Sequence, residues 1–167
     1  FMDMLVNLEG YVGDKQWALN YRRQLLARNP GDGKNRFAIA SLLVDTQDFK
    51  GARTLIDELR REEDAIDLVA LDACWYADQG DLNGARRQFS QYIVGIPRTK
   101  LTSLPYLVMG DFLLSRKMDE FGLVALQQAR RYQDPKTLDA DKAISDAYGR
   151  RERLIDSIPA SRRVVEA

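Results

Sequence analysis

The stretch Gly80-Asp81-Leu82-Asn83-Gly84-Ala85 decides the architecture, because the chain writes it more than once. Gly13-Asp14-Lys15-Gln16-Trp17-Ala18 and Gln47-Asp48-Phe49-Lys50-Gly51-Ala52 follow the same plan. Each copy reads as a tight turn into a new helix. A Gly or Gln ends one helix, an Asp offers its carboxylate to the orphan N–H groups that open the next, and a small Ala sits where two helices must touch.

The three alanines stand at 18, 52 and 85, which is 34 and then 33 residues apart. A period of about 34 residues is that of a helix–turn–helix repeat. With Ile39, Ala40, Phe49, Ala52, Ile56 and Leu59 in one unit, and Ala73, Tyr76, Gly80, Leu82, Ala85, Phe89 and Pro97 in the next, the chain resembles the tetratricopeptide repeat (TPR) family. A looser unit runs through Met109-Gly110, Leu113, Gly122, Leu126, Ala129 and Pro135, its small residue 37 after Ala85. An earlier unit keeps Leu5, Gly13, Ala18 and Pro30, its opening helix cut at Phe1, and the chain reads as a segment of a longer protein. The pattern is broken where Arg36 replaces Trp, Asp72 stands at a Leu position and Gly122 replaces Ala.

The spacing predicts short helices near 2–12, 15–28, 34–46, 49–61, 65–79, 82–95, 104–116 and 119–132, with Pro and Gly falling between them. No segment alternates with period two, so no sheet is expected. After Pro135, Ala140, Ile144, Ala147, Tyr148, Arg151, Leu154 and Ile155 follow helical spacing with no turn-and-Ala signal behind them. The expected organisation is therefore four helix pairs over 1–135, the first truncated, then one capping helix over 136–158 that covers the last repeat and wets its outer face, then a tail over 159–167. The fold class is all-α, an α-solenoid of stacked antiparallel helix pairs with right-handed superhelical stacking.

Composition narrows the function. Twenty-five Lys and Arg balance 25 Asp and Glu, so no overall field draws a polyanion whose affinity rests on phosphate neutralisation, and no nucleic acid is expected. The longest apolar runs, such as Phe112-Leu113-Leu114, fall far short of the roughly 20 residues a bilayer span needs, so no transmembrane segment is expected. The single Cys74 excludes an internal disulfide and a cysteine-based zinc site and leaves the compartment, cytoplasmic or periplasmic, open. Histidine is absent, which removes the commonest general base and metal ligand. No catalytic residue, metal site or cofactor is expected, and the chain is read as not an enzyme.

Other clusters have plainer readings. Asp139 with Asp141 opens a helix, where acids complement the macrodipole, and Glu62-Glu63-Asp64 reads as a charged loop between repeats. The doublets Arg22-Arg23, Arg60-Arg61, Arg86-Arg87 and Arg130-Arg131 fall on the second helix of each pair and are expected to face solvent; an array of them is also the chemistry that grips acidic polymers. Trp17, Trp75, Tyr76, Phe89 and Tyr148 at helical spacing read as packing between helices.

In the TPR family the first helices of successive pairs line a concave face. The resemblance accordingly places Lys34, Phe37, Ser41, Val44 and Asp45 there, then Asp67, Ala70, Cys74, Ala77 and Asp78, then Leu104, Leu107, Asp111, Leu114 and Ser115. It implies a partner-binding set of Phe37, Ser41, Val44, Ala70, Cys74, Asp78, Leu107, Asp111 and Leu114. This lining is apolar with scattered acids and lacks the Lys and Asn of family members that clamp a C-terminal carboxylate. The function so implied is a protein-interaction scaffold holding a protein or peptide in its groove. The alternative is a periplasmic repeat region of a bacterial exopolysaccharide-export or secretion assembly that docks an enzyme subunit.

Overall fold

The protein is described by a computed structural model covering residues 14–134, 136 and 139–157. The helix expected at 2–12, Pro135 and the expected tail lie outside the described residues. Among those described there are eight α-helices and no strand: α1 (Lys15–Arg28), α2 (Gly33–Asp45), α3 (Phe49–Glu62), α4 (Ile66–Asp78), α5 (Leu82–Gly95), α6 (Leu104–Ser115), α7 (Asp119–Tyr132) and α8 (Asp139–Ser157). A 3-10 turn, Arg98–Lys100, precedes α6.

The repeated turn is one physical device used three times. Asp48 N–H donates to the Leu43 carbonyl at 2.9 Å, Asp81 to Tyr76 at 3.0 Å and Met118 to Leu113 at 2.9 Å. One residue earlier Gln47, Gly80 and Lys117 donate to Val44, Ala77 and Leu114. This is the paired bond pattern that closes a helix on a left-handed residue, and those three residues have φ of 63°, 86° and 61°. The next helix then starts on the Asp: the Asp48 carboxylate accepts from Gly51 N–H at 3.0 Å, and Asp81 accepts from Gly84 N–H at 2.7 Å. Asp14 and Asp32 cap α1 and α2 in the same way. At α7 the capping residue is Met118, which has no side-chain acceptor, and Asp119 and Glu120 supply the first-turn negative charge instead.

The chain forms two compact units, Phe1–Phe89 and Ser90–Ala167, the division falling inside α5. In the first, α2 packs against α1, α3 and α4. Its core gathers Leu19, Ile39, Ala40, Leu43, Val44, Ala52, Ile56, Leu59, Leu68 and Leu71. Burying one such Leu or Ile contributes about 1.5–3 kcal/mol. The repeat alanines Ala18, Ala52 and Ala85 are all buried.

In the second unit α6 packs against α7, and α8 against both, around Leu113, Ala125, Leu126, Ala129, Ala140 and Ala147. Gly122, where the repeat pattern wants Ala, has a direct cause. A Cβ there would lie 2.7 Å from Leu114 Cγ and 3.1 Å from the Gly110 carbonyl, and one on Gly110 would lie 3.2 Å from the Gly122 carbonyl. The two backbones approach too closely for a side chain on either. Tyr106 on α6 and Tyr132 on α7 stack with centroids 5.6 Å apart.

Two expectations are corrected here. Val44 was placed on an open face but is buried in the first unit's core, because a helix with neighbours on three sides buries more than one stripe. The arginine doublets do not all face solvent. Arg23, Arg61 and Arg87 are exposed, whereas Arg22, Arg60 and Arg86 are half-buried. Arg60 points at Asp72, which is 4% exposed. Arg53 Nη1 donates to Asp72 Oδ1 at 2.6 Å, Arg60 Nη1 lies 3.5 Å from Oδ2, and the Arg53 guanidinium covers the Trp75 ring at 5.0 Å. The Asp at a Leu position is thus a buried acid satisfied by two arginines from the preceding helix.

Candidate functional site

At one end of the first unit the N-termini of α2 and α4 meet the C-terminus of α3, and between them lies an open cavity of about 550 Å³. Its walls are Gly33, Lys34 and Phe37 from α2, Leu59 and Glu62 from α3, Glu63 and Ala65 from the connection, and Asp67 and Leu68 from α4. Antiparallel pairing joined by short turns brings these three helix ends together. The α4 helix starts from Ala65, whose backbone is extended at φ −104° and ψ 146°.

The chemistry of the walls is divided. Phe37, Leu59, Ala65 and Leu68 form an apolar floor continuous with the core. Around it stand one cation, Lys34, and three acids, Glu62, Glu63 and Asp67. Glu62 is neutralised by a bidentate pair with Arg36, whose Nη1 donates at 2.7 Å. Hydrogen bonding to that guanidinium, aided by its charge, holds the Glu62 carboxyl below the usual glutamate range and raises Arg36 in return. This is what replaces the Trp of the repeat pattern: Arg36 ties the start of α2 to the end of α3. Lys34, Glu63 and Asp67 have no ion-pair or side-chain hydrogen-bond partner among the described residues.

Of the residues expected to bind a partner, Phe37 lies on the cavity wall, as do Lys34 and Asp67 from the wider lining. Ser41, Ala70 and Cys74 are half-buried and Asp78 exposed, none of them on these walls; Cys74 packs against the first unit's core. Val44, as noted, is core, and so is Ala77. Leu107, Asp111 and Leu114 belong to the second unit, where Leu114 covers Gly122 rather than standing open. Sequence reasoning missed Leu59, Glu62, Glu63, Ala65 and Leu68. One signal was present: acids at the C-terminal end of a helix oppose the macrodipole, so Glu62 and Glu63 called for a reason beyond their own helix.

No group of His, Cys, Asp or Glu able to hold a metal ion occurs among the described residues, and none of their helices is long and apolar enough to cross a membrane.

Among the described residues the fold is all-α and TPR-like, with α1 packed on α2, α2 on α3, α3 on α4, α6 on α7 and α7 on α8. Its structure is similar to that of a tetratricopeptide repeat protein from Parabacteroides merdae, at 15% identity and a TM-score of 0.49, over 86% of this chain and 68% of that one. Neither a family model nor a curated protein matches the sequence.

Proposed function

We propose that this chain is a protein-interaction scaffold and that the cavity at the end of its first unit receives a segment of the partner. The carrying observation is that cavity: about 550 Å³, apolar at its floor and bordered by charged groups. That is the size and character of sites that seat one or two anchoring side chains. The helix ends around it are fixed by the Asp32 cap, the Arg36–Glu62 pair and the core beneath. A partner therefore meets a preformed surface and loses little to ordering of this side.

The test is peptide binding to the purified chain. Peptides enriched from a random phage-displayed library are titrated against wild type, Ala65→Trp, which places a large ring on the cavity lining, and Leu107→Glu in the other unit. Ala65→Trp is expected to weaken binding by about 1 kcal/mol or more with the melting temperature held, and Leu107→Glu to leave it unchanged. Loss only with Leu107→Glu would move the site to the second unit and contradict the proposal.

A further inference from the structure

Resting on that reading, we infer that the cavity selects a basic segment: an extended stretch of a partner protein in which a large apolar side chain lies next to, or one residue from, a Lys or Arg. The floor of Phe37, Leu59 and Leu68 provides for the apolar side chain. The carboxylates provide for the cation. Glu62 is paired with Arg36, but Glu63 and Asp67 stand at the rim without a side-chain partner among the described residues, against one lining cation, Lys34. The rim thus offers two free acceptors and a surplus of one negative charge.

The placement of Glu63 gives this weight. Asp67 sits in the first turn of α4, where an acid helps its own helix. Glu63 is the C-terminal cap of α3, where the macrodipole disfavours an acid, and its side chain bonds to nothing among the described residues. A neutral residue at this cap would suit the helix dipole better. A basic side chain at the rim would complement these carboxylates, and complementarity of this kind governs which partner is accepted more than how tightly.

The experiment compares the library peptides enriched on wild type with those enriched on Glu63→Lys/Asp67→Lys; both positions are exposed, so folding is retained and is checked by circular dichroism. Wild type should enrich sequences with an aromatic or aliphatic residue beside Lys or Arg. A representative synthetic peptide should bind the double variant about fivefold or more weakly. Its affinity should also fall as ionic strength rises from about 0.05 to 0.5 M, and the double variant should turn to acidic sequences. Enriched peptides that are acidic or indifferent to charge, yet still blocked by Ala65→Trp, would overturn this inference and leave the docking reading standing. Absence of any peptide blocked by Ala65→Trp would overturn both. Self-association abolished by the double variant, seen by sedimentation, would give the cavity to a second copy and overturn the basic-segment assignment.

Discussion

At the scale of single residues, the two least expected charges of the first unit, Arg36 and Asp72, are explained by partners on other helices. Glu62 and Arg36 lie 26 positions apart, and Asp72 lies 12 and 19 positions from Arg60 and Arg53. Such pairs leave no trace in local periodicity, which is why Arg60 read as a solvent-facing residue and Asp72 as a flaw in the repeat. Both become intelligible once α3 and α4 are side by side. The Arg36–Glu62 pair has a measurable pH signature. Because the folded carboxyl titrates below its ordinary value of 4.5, folding is favoured by ionisation. The contribution is fully present above that value and disappears as pH falls through the lower, folded one. Denaturant unfolding of wild type and Glu62→Gln should therefore show a wild-type advantage at neutral pH that fades below about pH 4.5. An advantage that grows on acidification would show the pair is not formed.

At the scale of elements, the turns were the most legible part of the chain and the faces the least. Gln47-Asp48 and Gly80-Asp81 could be recognised because a helix stop and an acidic cap stand together, and Asp48 and Asp81 cap α3 and α5 as that pattern demands. Lys117-Met118 makes the same turn with neither signal residue, so only its spacing revealed the unit. The faces were harder because α2 touches three other helices, and one helical wheel cannot say which of its sides will be covered; Val44 is the consequence. The turns also carry a small strain. Gln47 and Lys117 hold left-handed backbone with exposed side chains, a conformation that glycine adopts freely. Gln47→Gly and Lys117→Gly should each stabilise the protein by about 0.5–1 kcal/mol, read as higher denaturation midpoints at unchanged slope. Lower midpoints for both would mean that the side chains, not the turn geometry, hold these corners.

At the scale of the whole molecule, two units of helix pairs share one construction rule and differ in what they leave open. The first keeps a cavity with an apolar floor and, at its rim, charges that have no ion-pair partner among the described residues. The second closes its main helix pair with the Gly110–Gly122 approach and leaves Phe121 and Val124 on the outer side of α7. That the chain is built from helix pairs could be read from the recurrence of small residues and turns. Where the cavity lies could be read only in part. Phe37, Lys34 and Asp67 fall within the expected lining, but the cavity is completed by the end of α3 and the connection to α4, segments a reading based on first helices alone passes over. The most direct measurement is therefore a backbone amide spectrum of the isotope-labelled chain titrated with a library-selected peptide. The account predicts shifts concentrated at Lys34, Phe37, Glu63, Ala65, Asp67 and Leu68, with the Phe121–Val124 face unmoved. Shifts confined to that face, or spread without relation to the cavity, would contradict it.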